Sequence, residues 1–191
     1  MNKYYIKKIS MENIGDFYKL FDGEKCESCQ CTYFLRAHED LDWDSIGIAE
    51  AKEFRRKICD LYSDGYIYYH DNNPIAWCQC IDPELSPYMK NLLKINDDVK
   101  NIKIITCFYV IEEYRGNGII KELTKLVIDE CRLANIQTLY SIPVYDKYLE
   151  KVSHNYKNEK LHTGYKNLFE KFDFECIGDN ERFYFMKKDL I

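Results

Sequence analysis

The sequence predicts an α/β fold in which helices flank a central mixed β-sheet. Three observations lead to this prediction. The run Ile102–Val110 is apolar at almost every position, as expected for a strand buried on both faces. A glycine-containing corner follows, and after it apolar residues recur every three or four positions, which indicates an amphipathic helix. Further strand-like and helix-like segments lie on both sides of this unit.

Before the central unit, the apolar spacing predicts a strand at Tyr4–Ile9, a short helix at Ile14–Phe21 and a strand at Thr32–Leu35. Ile48–Tyr62 is predicted to be a helix that Asp64-Gly65 stops. The buried face of this helix is expected to consist of Ala51, Phe54, Ile58 and Leu61.

Two β-rich runs, Tyr66–His70 and Ile75–Ile81, are joined by Asp71-Asn72-Asn73-Pro74, which predicts a hairpin. Tyr88–Ile95 is predicted to be a short helix. Strict alternation in the central strand would place one set of side chains on one face and a second set on the other. The first set is Ile102, Ile104, Thr106, Phe108 and Val110, and the second is Ile105, Cys107 and Tyr109.

After the central helix, Thr138–Val144 is predicted to be a strand and Tyr145–Asn158 a polar, charged excursion. Leu161–Phe172 is predicted to be helical, and two closing strands are expected at Phe174–Ile177 and Phe183–Lys187. The sequence contains no repeat, linker or sign of a second domain, so residues 1–191 are expected to form one domain.

The corner between the central strand and helix has the features of an anion site. Gly116 and Gly118 lack a Cβ atom, so the backbone there can adopt positive φ and approach a ligand closely. The unpaired N–H groups of a helix start, with the positive end of the helix dipole behind them, favour a phosphate. The dipole alone contributes only ~0.3–2 kcal/mol, so directed N–H bonds and Arg115 are expected to supply the rest.

Composition excludes several classes of protein. The charged fraction is 31% and the aromatic fraction 15%, as in folded rather than disordered chains. A net charge of −5 argues against a nucleic-acid partner, which would require a basic face. No apolar run approaches membrane-spanning length, and the first residues do not resemble a signal peptide. We therefore expect a cytoplasmic protein without a membrane partner. A monomer or homodimer is expected.

Arg115-Gly116-Asn117-Gly118, between a strand and a helix, resembles the acyl-CoA pyrophosphate loop of the GNAT superfamily of N-acetyltransferases. That loop has the pattern [QR]-x-x-G-x-[GA], and Ile120 departs from it at the sixth position. The order of predicted elements and the segment Leu168–Phe174 also resemble the family. The Cys-x-x-Cys-x-Cys segment and Ile75–Cys80 resemble a cysteine-marked bacterial subgroup without a defined substrate.

The resemblance implies a mostly antiparallel, twisted sheet and an acetyl-CoA-dependent N-acetyltransferase. The acceptor would be a primary amine of a small molecule or peptide that attacks the acetyl group directly. Phe108 and Val110 would present main-chain groups to the pantetheine arm and acyl group. The pyrophosphate would bind Arg115, Gly116, Asn117, Gly118, Ile119 and Ile120. Because Phe169 replaces a tyrosine that many members use to protonate the leaving thiolate, an acyl-CoA-sensing module without turnover is the alternative.

Four residues are candidates for proton transfer. Glu112 follows the central strand, and Asp82 follows the run that ends at Ile81. His162 and Tyr165 lie near the position of the family's acid. For each residue a purely structural role is the competing interpretation, and catalysis by positioning and desolvation alone is a further one.

Two other clusters have a possible function. Cys26, Cys29 and Cys31 could bind zinc together with Cys78 or Cys80, but a structural zinc site needs four ligands and the usual two CxxC pairs are missing. Buried thiols are therefore the preferred interpretation, and no metal is expected. The acidic run 39–44 could attract a cationic acceptor or could be a solvated loop.

Overall fold

The structure is a computed structural model that describes residues 4–22, 29–36, 45–96, 100–151 and 161–190. Seven strands form one sheet in the order β1-β2-β3-β4-β5-β7-β6. Their bounds are β1 Tyr4–Lys8, β2 Gly65–His70, β3 Asn73–Ile81, β4 Ile102–Val110, β5 Thr138–Ser141, β6 Glu175–Asp179 and β7 Tyr184–Asp189. Only β4 and β5 pair in parallel, so the predicted mixed, mostly antiparallel sheet is confirmed.

The described helices flank this sheet. Their bounds are α1 Ile14–Phe21, α2 Tyr33–Arg36, α3 Ile48–Leu61, α4 Pro87–Leu92, α5 Ile119–Leu133, α6 Asp146–Lys151 and α7 Lys166–Glu170. Short 3₁₀ turns occupy Pro83–Leu85, Glu112–Tyr114 and Leu161–Thr163. Among the described residues, no helix combines the length and the apolar character needed to cross a membrane.

The two faces of the sheet are covered by different helices. On one face, α5 contributes Leu123, Val127 and Cys131 to a core that also contains Phe169. On the other face, α1 packs Phe17 and Phe21 against Trp77 and Tyr109. A third cluster joins α2 and α4 to the start of β4. The predicted amphipathic helix after the glycine corner is therefore confirmed, with Leu123, Val127 and Cys131 on its buried face.

A β-bulge at Thr106 makes the predicted alternation of β4 wrong. Gln79 on β3 lies opposite Cys107, whereas the next residue, Cys80, lies opposite Ile105. Thr106 is thus an extra residue on β4, and the alternation of side chains reverses there. Ile105 now shares the α5 face with Phe108 and Val110, while Ile102, Ile104, Cys107 and Tyr109 lie on the other.

Two other expectations differ from the structure. The predicted strand Thr32–Leu35 is a short helix, because Phe34 and Leu35 pack in the same cluster as Met89. Of the predicted face of α3, Ala51 is buried and Phe54 and Ile58 pack partly buried against the third cluster, whereas Leu61 is 71% exposed. The helix also buries Arg55 and Cys59, which the prediction left out. Arg55 can be buried because it forms an ion pair with Asp64 inside the protein.

The predicted strand Thr138–Val144 and the predicted helix Leu161–Phe172 are both interrupted. β5 ends at Ser141, opposite Ile105 of β4, and Val144 forms only isolated bridges. Gly164 has φ +78° and separates the 3₁₀ turn from α7. Because β5 stops early, the last five residues of β4 have no partner strand on that edge, and an opening forms between the strands.

Candidate functional site

A cleft of about 580 Å³ lies at the open end of β4, within the usual range for ligand sites. β4 forms one wall, the start of α5 forms the floor, and the 3₁₀ turn at Leu161–Thr163 with the residues after it forms the opposite wall. The lining residues are Phe108, Tyr109, Val110, Tyr114, Arg115, Gly116, Gly118, Ile119, Ile120, Lys121, His162, Gly164, Tyr165 and Leu168.

The glycine loop, residues Arg115–Ile120, presents a row of free main-chain donors beside this cleft. Gly116 has φ +81° and Gly118 has φ +76°, so both adopt the left-handed conformation that glycine favours. Within the described chain, no main-chain carbonyl accepts a hydrogen bond from the N–H groups of residues 116–120. The next two N–H groups, of Lys121 and Glu122, donate to the Gly118 carbonyl. Consecutive free N–H groups at a helix start form an anion site.

Two cationic side chains flank these donors. Arg115 and Lys121 both line the cleft. The Nε–H group of Arg115 donates a hydrogen bond of 2.8 Å to the Val110 carbonyl, and its guanidinium lies 5.7 Å from the centre of the Tyr109 ring. Arg115 is therefore held against the end of β4. A charged donor contributes ~1.5–3 kcal/mol to a hydrogen bond, more than the helix dipole, so these residues suit a phosphate-bearing ligand.

Ile120, which departs from the family pattern, does not close the loop. Its side chain packs against the core below α5, and Gly116 and Gly118 remain exposed. A Cβ atom at either glycine would meet no atom within 4 Å. Asn117 is not among the lining residues, and its amide group lies 3.4 Å from the carbonyls of Tyr114 and Arg115. The loop therefore offers open space with its N–H groups beside it.

The bulge places the main-chain groups of Phe108 and Val110 at the opening. Ile111 N–H donates to the Ile75 carbonyl at 3.1 Å, so this pair belongs to the hydrogen-bonded class of antiparallel pairs. The classes alternate, so Tyr109 and Cys107 also bond to β3. The N–H and C=O groups of Phe108 and Val110 consequently point away from β3, toward the edge that β5 leaves open.

His162 and Tyr165, two of the four candidates for proton transfer, line the wall opposite β4. Tyr165 is 45% exposed, and partial burial, assisted by the charge of Asp146, raises the pKa of its hydroxyl group. A tyrosine with a raised pKa remains protonated and can donate a proton. The structure thus brings both residues to the same cleft as the glycine loop.

Glu112 and Asp82, the other two candidates, are not brought to the cleft. Glu112 is exposed on the 3₁₀ turn that follows β4 and is not a lining residue. Asp82 follows β3 at the opposite end of the sheet, and its carboxylate accepts a hydrogen bond of 2.9 Å from Lys103. The reason is topological, because β3 runs antiparallel to β4 and ends where β4 begins.

Comparison with known proteins decides the family. The model of the acetyltransferase (GNAT) family matches residues 30–174, which include the sheet from β2 to β5, the glycine loop and α7. This chain is a member of the GNAT acetyltransferase family. A comparison with the sequences of curated proteins found no significant match.

Solved structures show the same fold as this GNAT protein. PaiA N-acetyltransferase from Thermoplasma acidophilum, in complex with coenzyme A, has a TM-score of 0.57 at 15% identity over 98% of this chain and 99% of its own. An N-acetyltransferase from Staphylococcus aureus Mu50 has a TM-score of 0.55 at 13% identity over 99% of each chain. A chain of the NatC complex bound to Gag peptide and CoA has 0.54 at 17% identity, also over 99% of each.

This GNAT member has Phe169 where the resemblance placed a proton-donating tyrosine. Phe169 is fully buried and packs against Phe108 and Phe174, with ring centres 6.2 and 5.3 Å away. A Cβ atom on Gly164 would lie 3.3 Å from the Phe169 ring. The ring therefore packs behind the wall of the cleft. Tyr165, four residues before Phe169, has a hydroxyl group and lines the cleft.

Sequence reasoning did not identify several residues that line the cleft of this GNAT protein. Tyr109 and Tyr114 belong to the strand and the 3₁₀ turn that adjoin the glycine loop, and Gly164 and Leu168 face them. The Thr163-Gly164 pair was the available signal, since a glycine inside a predicted helix indicates a break. Lys121 is exposed on α5 and also lines the cleft.

The described cysteines do not assemble into the metal site that the sequence left open. Cys26 and the acidic run 39–44 lie outside the described residues. Cys31 lies on the α1 face, 3.6 Å from Cys107 between sulfur atoms, whereas Cys80 lies on the α5 face, 4.0 Å from Cys131. The sheet separates the two pairs. Across the described ranges, no group of three potential ligands (His, Cys, Asp or Glu) could hold a metal ion.

Proposed function

We propose that this GNAT protein is an acetyl-CoA-dependent N-acetyltransferase that acetylates a primary amine of a small molecule or peptide. The observation that carries the proposal is the row of free N–H groups at residues 116–120 beside the opening of β4. This arrangement suits a ligand that has a pyrophosphate at one end and an extended amide-containing arm. Coenzyme A thioesters have both features.

Successive parts of the cleft fit successive parts of such a ligand. The glycine loop, with Arg115 and Lys121, would hold the pyrophosphate. The main-chain groups of Phe108 and Val110 would bond the pantetheine arm and orient the thioester carbonyl, as a neighbouring strand would. Because both groups are fixed by β4, the carbonyl carbon would be held in place for attack.

The proton balance assigns a role to the opposite wall. In the transfer, a nitrogen–carbon bond forms, the carbon–sulfur bond breaks, and one proton leaves the amine while the departing sulfur gains one. Tyr165, which holds its proton at neutral pH and lines the cleft, would give the proton to sulfur. His162, which lines the same wall, would accept the amine proton, directly or through water. A lysine-like amine pays roughly 4–5 kcal/mol to be neutral at pH 7, so a proton acceptor would lower the barrier.

One observation favours a second function, acyl-CoA binding without turnover. Phe169 lacks the hydroxyl group that many family members use, and its ring is fully buried. In that case Tyr165 would be a structural residue, and the cleft would retain an acyl-CoA without an acceptor.

Two measurements test these alternatives. Calorimetry with coenzyme A and with pantetheine, which lacks the pyrophosphate, tests the loop. We expect coenzyme A to bind at least about tenfold more tightly, since that ratio corresponds to ~1.4 kcal/mol. Equal binding, or none, would contradict the proposed role of the glycine loop.

Thiol release from acetyl-CoA across a panel of small-molecule and peptidyl amines tests turnover. Amine-dependent release supports the transferase and eliminates the sensing role. Binding of coenzyme A with no release for any amine supports the sensing role instead.

A further inference from the structure

The bulge at Thr106 decides which main-chain groups of β4 face the cleft. If the pairing of Cys80 with Ile105 continued regularly, Trp77 would lie opposite Phe108 and Ile75 opposite Val110. Trp77 and Ile75 belong to the hydrogen-bonded class, so Phe108 and Val110 would then use their N–H and C=O groups within the sheet. The extra residue exchanges these groups with those of Cys107 and Tyr109. The site therefore depends on one inserted residue staying at position 106.

A buried side-chain bond holds the inserted residue. The hydroxyl group of Thr106 donates a hydrogen bond of 2.8 Å to Oε1 of Gln79. Thr106 and Gln79 are both fully buried. Gln79 is the residue of β3 after which the register shifts, so the bond spans the irregularity itself.

The remaining bonds of Gln79 fix the direction of this one. Its Nε2 group donates to the Cys31 carbonyl at 2.7 Å and to the carboxylate of Asp64 at 3.1 Å. Both partners are acceptors, so the amide nitrogen must face them and Oε1 must face Thr106. Both N–H donors of the Gln79 amide are used by these acceptors. Oε1 is then the atom that faces Thr106, and it accepts the hydrogen bond from the Thr106 hydroxyl group.

An ion pair between Arg55 and Asp64 forms the other end of this series of buried side-chain bonds. The guanidinium of Arg55 donates to both carboxylate oxygens of Asp64 at 2.7 to 2.9 Å, and both side chains are fully buried. Arg55 also lies 5.0 Å from the centre of the Phe17 ring and 5.6 Å from that of Trp77. Charges withdrawn from water in this way keep one arrangement, because any shift leaves a buried group without a partner.

We propose that the buried chain Arg55–Asp64–Gln79–Thr106, the bulge anchor, is a positioning device that fixes which main-chain groups of β4 face the cleft. The anchor lies on the face opposite α5 and does not touch the cleft. It acts through the register of β4 on Phe108 and Val110. That these groups bind coenzyme A rests on the proposed function. The claim that the anchor sets the register of β4 does not.

The test uses three variants of the full chain. Thr106→Val removes the hydroxyl group but keeps the branched shape, and Thr106→Ser keeps the hydroxyl group. Thr138→Val is the matched control, because the Thr138 hydroxyl group donates to Asp189 at 2.9 Å on β5, away from the cleft. If the added methyl group of Thr106→Val impairs folding, Thr106→Ala removes the same donor without it.

Calorimetry with coenzyme A gives the first readout. We expect Thr106→Val to bind at least about fivefold more weakly, which corresponds to ~1 kcal/mol or one net hydrogen bond. Thr106→Ser should bind like the parent protein. Thr138→Val should lose thermal stability without losing affinity. Unchanged binding by Thr106→Val, or no recovery with Thr106→Ser, would overturn the proposal.

Amide hydrogen exchange of residues 107–110 gives a second readout that needs no ligand. In the parent protein the amides of Cys107 and Tyr109 should exchange slowly and those of Phe108 and Val110 faster. This alternation should be lost in Thr106→Val and kept in Thr106→Ser and Thr138→Val. If the parent protein binds no coenzyme A, the transferase proposal fails, while an intact alternation in Thr106→Val would separately refute the anchor.

Discussion

The Nε–H group of Arg115 donates a hydrogen bond of 2.8 Å to the carbonyl oxygen of Val110. This bond joins the first residue of the glycine loop to the last residue of β4. It leaves the outer guanidinium nitrogens near the cleft that Arg115 lines. Arg115 thus both braces the loop and supplies positive charge.

Arg115→Ala is expected to weaken coenzyme A binding by about tenfold or more, since a hydrogen bond to a charged group is worth ~1.5–3 kcal/mol. Arg115→Lys should recover part of the loss, because the ammonium keeps the charge but lacks the planar fork. Calorimetry measures both. Arg132→Ala is the control, since Arg132 is partly exposed and pairs with Asp129 near the end of α5. A similar loss in Arg132→Ala would indicate a non-specific charge effect.

Gly118→Ala is expected to lower the free energy of unfolding by ~1–2 kcal/mol, the cost of a left-handed conformation for a residue with a Cβ atom. Gly118 has φ +76°, and a Cβ atom there would meet no neighbour within 4 Å, so strain rather than collision is the cause. Coenzyme A affinity should fall as well, because relief of the strain moves the N–H groups. Urea unfolding and calorimetry measure the two effects.

The matched control for this substitution is Gly15→Ala. Gly15 also has open space around a Cβ atom but lies in α1. Alanine should be neutral or stabilise the protein there by up to ~1 kcal/mol, since glycine is unfavourable in helices. Equal destabilisation at positions 15 and 118 would contradict the explanation.

Tyr165→Phe is expected to lower kcat by about 100-fold or more, as for loss of a general acid, with coenzyme A affinity unchanged. Because the pKa of Tyr165 is raised, the group should stay protonated throughout the neutral range. The rate should therefore lose this acid only above pH ~10, the ordinary pKa of tyrosine. That limb of the pH profile should be absent in Tyr165→Phe.

Tyr18→Phe serves as the control for the tyrosine experiment. Burial also raises the pKa of Tyr18, but its hydroxyl group donates to the Lys52 carbonyl at 3.0 Å and does not line the cleft. Its kcat should match that of the parent protein. An unchanged kcat in Tyr165→Phe would remove Tyr165 from the reaction and leave His162 or desolvation alone.

The protein is expected to lose stability in alkaline solution. Burial, and then the adjacent Glu122 carboxylate that accepts a hydrogen bond of 2.8 Å, raise the pKa of Tyr68. Burial also raises the pKa values of Tyr66 and Tyr69. Below pH ~10 both folded and unfolded chains hold these protons, so the stability is fully present.

Above that pH the unfolded chain ionises first, so the free energy of unfolding falls until the pH passes the folded-state pKa values. Each tyrosine contributes up to ~1.4 kcal/mol per pH unit. Urea unfolding between pH 8 and about pH 11, with tyrosinate absorbance, measures the slope. Tyr68→Phe should have a shallower slope, and an unchanged slope would exclude Tyr68 as a contributor.

Elements defined by local periodicity were predictable from the sequence. The apolar spacing after the glycine corner predicted an amphipathic helix, and α5 buries Leu123, Val127 and Cys131 in the core. The predicted β2–β3 hairpin is present, with Asp71 and Asn72 at positive φ in its turn, although Asn73 and Pro74 already belong to β3. In each case the element depends on the spacing or type of residues that are close in sequence, so a local pattern was enough to predict it.

Elements decided by distant partners were not predictable in this way. Thr32–Leu35 has strand-forming residues, yet Phe34 and Leu35 form a helix that packs beside α4. Arg55 is buried in α3 although it is charged, because its partner Asp64 lies beyond the helix end.

The sequence by itself determined the central strand, the glycine loop and the amphipathic helix, because apolar periodicity and glycine conformation are local properties. Tertiary structure alone decided that β4 contains a bulge at Thr106, that β5 ends early and that Tyr165 faces the loop. These features depend on which buried groups find partners across the sheet. Such pairings join residues far apart in the chain, and no local pattern encodes them.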